Sequence, residues 1–327
     1  MQDTRHAVLD ALADGPVSGP DIADRLDVSR AAVWKHVEAL RDAGFEIAST
    51  DAGYELAAVP DFGGEAVEFG LEAPFEVEYH DAVPSTNDRA RELAAEGRED
   101  VVVLADEQPG GRGRLNRAWS SPSGGIWLSI LCRPTVPPAD APAFTLAAAV
   151  ATTRAAREAG VDAVIKWPND VLVPTGTGAS QTESDDVLVP DEEGDTRKLA
   201  GILTEMEGEA DRVSWLIVGI GVNANVDVAD LVEGATSLRA ETGDVDRRAF
   251  TQRLLEEFHD LRTDLERVVP AWREHADTLG RRVRVETPGG EVVGEAVDVE
   301  FPGTLVVETD EGPVRVTTGD CEHLRPV

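Results

Sequence analysis

Lysine is nearly absent from this chain: Lys35, Lys166 and Lys198 stand against 27 arginines in 327 residues. Arginine presents a broad planar fork and lysine a compact point charge on a flexible stem. Each surviving ammonium is therefore a candidate for a task that guanidinium cannot perform. Cys132 and Cys321 are too few for a disulfide framework or a cysteine-only metal site. Long apolar runs are missing too, since no segment approaches the roughly eighteen uninterrupted apolar residues of a membrane-crossing helix. The N-terminal "MQDTRHAVLDALADG" has no extended apolar stretch of the kind a secretory signal needs. The expectation is a soluble, cytoplasmic protein with no membrane partner.

Positive charge is short as a class, with 30 basic against 63 acidic side chains and a formal net charge of -33. The acids are spread along the chain, which suggests a solvated, self-repelling surface more than a binding patch. The simplest cause is life in concentrated salt, where charge repulsion is screened. Against this background "DEQPGGRGRLNRAWSS" (106–121) stands out, because it sets three arginines among three glycines.

Length allows two or three domains, and 42% hydrophobic content is ordinary for a buried core. At the N-terminus Ala7, Val8 and Leu12 recur at helical spacing before Gly15. Ser18 and Ser29 each precede an apolar-periodic run, as helix N-caps do, and "LDVS" is the turn of a helix-turn-helix. "FEIASTDAGYEL" alternates and turns at "DAG", as a two-stranded wing would. Residues 1–60 thus read as a winged helix-turn-helix, with Arg30, Lys35, His36 and Trp34 near the exposed face of a recognition helix. Such modules also serve as dimerisation units. Eleven acids against five bases give this one a net -6, so DNA affinity from counterion release is expected to be weak.

"AAVPDFGGEA" (57–66) punctuates the chain before a region, 66–275, that alternates strands and helices. Expected strands are "FEVEYH", "DVVVLAD", "GIWLSILC", "DAVIKW", "LAGILTEME" and "VSWLIVGIGVNAN"; expected helices span 87–96, 139–159 and 247–267. Several strands follow one another without a helix, which favours an α+β fold with a mixed sheet. The polar segment 174–197, with seven acids, reads as a disordered insertion. Short strands with Gly/Pro turns over 279–327 describe a small β-barrel of about five strands.

"GGRGR" is not a Walker A loop, because no Gly-Lys-Ser/Thr follows, and "GIGVNA" lacks the helix of a dinucleotide fingerprint. The ordered set "PSTNDRA" (84–90), "EQPGGRGR" (107–114), "IKWPNDV" (165–171), "KLAGIL" (198–203) and "VGIGVN" (218–223) is far more specific. On these motifs the chain closely resembles the biotin protein ligases, and with its N-terminal module the bifunctional subgroup that also represses biotin synthesis. The resemblance covers nearly the whole chain. It implies a central sheet of the class II synthetase-like biotin ligase type, a C-terminal SH3-like barrel and a homodimer. It implies ATP, Mg²⁺ and biotin, and as partners a biotin carboxyl carrier protein and operator DNA.

The resemblance assigns Ser85, Thr86, Asn87, Gln108, Arg112, Gly113, Arg114 and Lys198 to biotin. It assigns Arg112, Arg114, Trp119, Asn169 and Asn223 to the nucleotide, and Arg112, Lys166 and Asp170 to catalysis. The chemistry of these groups agrees with that, since hydroxyls and amides suit a neutral ureido ring and guanidinium forks suit phosphate. "STND" is equally an ordinary helix N-cap, and "WPND" an ordinary strand-ending turn. Asp170 could hold Mg²⁺ or receive the acceptor lysine's proton. Gly110, Gly111 and Gly113 are expected to let the arginine loop close over ligand. Where the family often repeats Gly-Arg, this chain has Leu115-Asn116-Arg117, which weakens the case for Arg117. A lipoate-type ligase, or a winged-helix sensor without catalysis, are the alternatives.

Overall fold

The structure, a computed structural model, describes residues 2–114, 117–175, 188–190 and 196–326. Three helices, α1 (Gln2–Ala13), α2 (Gly19–Leu26) and α3 (Arg30–Asp42), precede a hairpin of β1 (Glu46–Thr50) and β2 (Gly53–Ala58). Ser18 Oγ accepts from Asp21 N, and Ser29 Oγ from Ala32 N, so both serines cap as expected. Val8, Leu12, Ile22, Val33, Val37 and Leu40 close a separate small core.

The expected linker is in part an element of its own. Helix α4 (Gly64–Glu68) places Ala66 in the winged-helix core and Val67, the next residue, in the central core. A short helix can serve two cores because adjacent side chains leave it about 100° apart.

The central sheet has the order β3 (Glu76–Ala82), β4 (Val101–Glu107), β5 (Ile126–Cys132), β10 (Val213–Val222), β9 (Thr196–Gly208), β7 (Asp170–Pro174), β6 (Val164–Lys166). Only β3 and β4 run parallel among these neighbours. Helix α5 (Thr86–Ala95) covers one face with Ala90, Leu93 and Ala94 against Val101, Val103, Leu131 and Ile217. The opposite face packs on α6 (Pro142–Glu158), α8 (Arg247–Thr263) and α9 (Val268–Arg273). A sheet covered on both faces explains why β5 reads "IWLSILC", apolar at almost every position.

Two readings are corrected. "DAVIKW" forms a strand of three residues, because Pro168 ends it and the chain folds straight back as β7, which the sequence reading did not separate. The last long helix stops at Thr263, where the Asp264 N–H donates to Leu261 O, and a 3-10 turn Leu265–Arg267 follows.

The C-terminal strands β11 (Arg282–Thr287), β12 (Gly290–Glu300), β13 (Thr304–Thr309), β14 (Gly312–Val316) and β15 (Asp320–Pro326) make the five expected. Their order is β14-β13-β12-β11-β15, and among the described residues no pairing of the end strands closes a barrel. Most of the acidic segment expected to be disordered lies outside the described residues. Within it β8 (Leu188–Pro190) pairs antiparallel with β15. The remaining helix, α7 (Leu238–Thr242), follows the central sheet.

Candidate active site

The site is built on the α5 face of the sheet, and its floor is made by leaving side chains out. Cross-strand partners share a face, so Ser129, Gly219 and Leu203 form one row, and Trp127, Gly221 and Gly201 the next. A Cβ on Gly219 would come within 2.3 Å of Asn87 Oδ1, and one on Gly221 within 2.7 Å of Trp119 Nε1. Ile220, between them, points to the opposite core. The alternation in "GIG" therefore anchors the strand on one side and, on the other, seats Asn87 and Trp119 at the floor of a cavity of about 230 Å³.

The N-terminus of α5 supplies one wall. Ser85 caps the helix, its Oγ accepting from Asp88 N at 3.3 Å, which holds Thr86 and Asn87 at the helix mouth. The cap and the cavity wall are thus one structure. Thr86 donates from both N and Oγ1 to Gln108 Oε1, at 2.7 and 3.0 Å. Ser129 Oγ stands 2.7 Å from Thr86 Oγ1 and 2.5 Å from Asn87 Oδ1, so its single proton serves one of them at a time. Asn87 Nδ2 donates to Glu205 Oε2 at 2.8 Å.

The described residues of the arginine loop line the cavity, with Arg112 bridged to Ala118 and Gly113 N donating to Arg117 O at 2.8 Å. Two of its glycines have a steric role as well. Gly110 and Gly111 are required by close approach, since a Cβ would lie 2.8 Å from Pro84 O and 2.5 Å from Trp119 O respectively. Gly113 has room, its nearest neighbour being Arg117 O at 3.7 Å. None of the three adopts a positive φ. The Leu115-Asn116 departure lies outside the described residues.

Each cation of the loop has a partner. Arg112 pairs with Asp88, Arg114 donates to Asn169 Oδ1 at 3.1 Å and Gly319 O at 2.7 Å, and Arg117 lies 2.7 Å from Asp320 Oδ2. Lys198 Nζ sits 2.7 Å from Asp170 Oδ1 and 5.0 Å from the Trp119 ring centroid. Asn169 Nδ2 donates to Ile202 O, which ties "WPND" to β9.

Ser85, Thr86, Asn87, Gln108, Arg112, Gly113, Arg114, Trp119, Asn169, Asp170 and Lys198 all line this one cavity. Two expected residues stand apart. Lys166 faces Asp170 across the β6–β7 hairpin and lines an adjoining cavity of about 180 Å³, shared with Asn169, Asp170, Arg117 and Asp320. Asn223 is buried outside both cavities, where its Nδ2 donates to Thr236 O at 2.9 Å. Its N–H also donates to Leu199 O, at 3.0 Å, so the residue bonds across the turn after β10. Ser129, Glu205, Asp320 and the floor glycines were not read as site residues. The "GIG" alternation was the one local signal for any of them.

The biotin/lipoate A/B protein ligase family matches residues 79–223, the biotin protein ligase C-terminal domain residues 278–324, and a helix-turn-helix domain residues 5–55. The bifunctional ligase/repressor BirA of Bacillus subtilis is 36% identical over 324 residues, covering 94% of this chain and 93% of that protein. This chain belongs to the biotin protein ligase family. The biotin–[acetyl-CoA-carboxylase] ligase of Mycobacterium tuberculosis is 31% identical over 255 residues, covering 74% of this chain and 86% of that one. In fold the chain is similar to the Aquifex aeolicus biotin protein ligase in complex with biotin and ATP. That likeness has a TM-score of 0.60 at 24% identity, covering 77% of this chain and 99% of that one.

The residues that the sequence suggests for DNA contact lie on α3. Arg30 and Lys35 are exposed, His36 is half-buried, and Trp34 is 54% exposed. Burial, then the nearby Arg5 charge, lower the His36 pKa, so this residue adds little positive charge near neutrality.

Proposed function

We propose that the chain is a biotin–protein ligase that converts biotin and ATP to biotinyl-5'-AMP and passes the biotinyl group to a carrier-protein lysine. The observation that carries this reading is the meeting of a neutral polar wall and a cationic lid on one cavity. Ser85, Thr86 and Gln108 suit the uncharged ring of biotin, and Arg112, Arg114 and Lys198 suit the anionic end.

In the first step a biotin carboxylate oxygen attacks the α-phosphorus, and the bond to pyrophosphate breaks. Both reactants are anionic, so cations fixed at their meeting point lower the barrier. Arg112, Arg114 and Lys198 are held by Asp88, Asn169 and Asp170, contacts that phosphate oxygens can take over. Lys166, in the adjoining cavity, is assigned to the phosphate end. In the second step the lysine amine attacks the acyl carbon, AMP leaves, and the amine gives up a proton. Trp119 and the loop cover the anhydride against water.

Asp170 is engaged by Lys198, and among the described residues no three His, Cys, Asp or Glu side chains stand together as a metal site. The donor set does not fit a resident ion, and Mg²⁺ enters this reading only as the counterion of the triphosphate. The test is transfer of biotin to a carrier-protein fragment, with ATP and in concentrated KCl, read as a mass increase on one lysine. No transfer in any salt condition would overturn the reading.

The match of the helix-turn-helix domain and the exposed Arg30 and Lys35 support a second activity, binding of operator DNA as a dimer. A mobility shift with and without biotin and ATP tests it. Absence of a shift under every ligand and salt condition removes the repressor half while leaving the ligase reading untouched.

A further inference from the structure

We infer that Glu205 is a positioning residue that fixes which atom of the Asn87 carboxamide faces the ligand. The inference rests on the biotin-binding reading of this cavity. An Asn side chain presents a donor and an acceptor of nearly equal shape, and nothing intrinsic decides which way it points. Here the surroundings decide. Glu205 lies on β9, opposite Ile217, directly beneath the first turn of α5. Asn87 and Arg91, one helical turn apart, both reach it, Asn87 Nδ2 at 2.8 Å from Oε2 and Arg91 Nε at 3.7 Å. An ionised carboxylate only accepts, so the amide nitrogen must face Glu205.

The amide oxygen is left toward the floor, where Ser129 Oγ is 2.5 Å away and the missing side chain of Gly219 makes room for it. Ser129 takes one lone pair of this oxygen, and the other is the acceptor that Asn87 offers to the cavity. A ring carrying N–H groups is bound by an acceptor, and a ring with only carbonyls is rejected by it. The orientation is a specificity element, and Glu205 sets it without being the group that contacts the ring.

Without Glu205 the amide can turn over, because Ser129 Oγ accepts from Nδ2 as readily as it donates to Oδ1. A donor then meets the ligand's N–H, and one hydrogen bond becomes a clash of like partners. Lost or mispaired buried hydrogen bonds of this kind cost about tenfold in affinity.

The test is the KM for biotin in biotin-dependent ATP–pyrophosphate exchange by the full chain. Glu205→Met is expected to raise KM about tenfold with kcat nearly unchanged, and Glu205→Gln, which retains an acceptor, to recover most of the loss. In an Asn87→Ala background Glu205→Met is expected to add little, since it acts through Asn87. A KM rise of the same size in both backgrounds would overturn the inference, as would a fall in kcat alone or an unchanged KM in the single variant. Circular dichroism of each variant checks folding. Exchange by the unaltered chain tests the underlying reading separately.

Discussion

Lys198 and Asp170 face each other at 2.7 Å across neighbouring strands, with the Trp119 ring 5.0 Å from the ammonium. Two of the five motifs that mark the family are joined by this contact. It also explains why lysine survives at this position in an arginine-rich chain. A Cβ on Gly201 would lie 3.3 Å from Lys198 Cε and from the Trp119 ring, so the stem is closely bounded here, and a compact ammonium meets Asp170 more readily than a broad guanidinium fork. Lys198→Arg is expected to behave like Lys198→Ala, each lowering kcat/KM for adenylate formation by about 10²-fold. Steady-state exchange kinetics check this, and activity retained by the arginine variant would show that only charge is needed.

Lys166 stands on the other side of Asp170, in the adjoining cavity and away from the wall made by α5. Lys166→Ala is expected to keep biotin affinity within a few-fold while losing about 10²–10³ in exchange rate. Calorimetry with biotin alone and exchange kinetics separate the two effects. Unchanged turnover would move the reacting centre elsewhere.

The floor glycines make a steric claim. Gly221→Ala puts a methyl 2.7 Å from Trp119 Nε1, and Gly219→Ala one 2.3 Å from Asn87 Oδ1. Both contacts lie on the open face, so each variant is expected to bind biotin at least tenfold more weakly with a small change in Tm. A large loss of Tm with intact affinity would show that these glycines serve packing instead.

His323 joins the C-terminal strands to the "KWPND" turn. Trp167 N donates to Thr278 Oγ1 at 2.9 Å, and Thr278 Oγ1 lies 3.1 Å from His323 Nε2, with Asp277 Oδ2 3.6 Å from Nδ1. Burial first, then the Lys166 and Arg281 charges, push its pKa down to about 3. Between the ordinary value of 6.5 and about 3 the unfolded chain binds a proton that the folded chain refuses. Stability is therefore full above this window and falls as pH drops through it. Urea midpoints measured from pH 7 to pH 4 are expected to decline less steeply in His323→Gln than in the unaltered chain.

What could be read in advance followed the range of the interactions. Ser18, Ser29 and Ser85 were legible as caps because a cap bonds three residues on, within one short window. The strands were legible where both faces are buried, as in β5. The β6–β7 hairpin was not, because three residues carry no periodicity. Nor was the shared role of α4, since no local pattern says that Ala66 and Val67 belong to different cores. Most site residues named by motif line one cavity, with Lys166 in the adjoining one and Asn223 in neither, whereas Glu205 and Ser129 needed the fold. Their contacts with Asn87 span 118 and 42 residues, and only strand register brings them beneath α5.

Exchange of labelled pyrophosphate into ATP reads the first chemical step without any carrier protein. In concentrated KCl exchange is expected to be absent without biotin, to saturate with it, and to fall at least a hundredfold in Lys198→Ala. Biotin that binds tightly while exchange stays at background would contradict it.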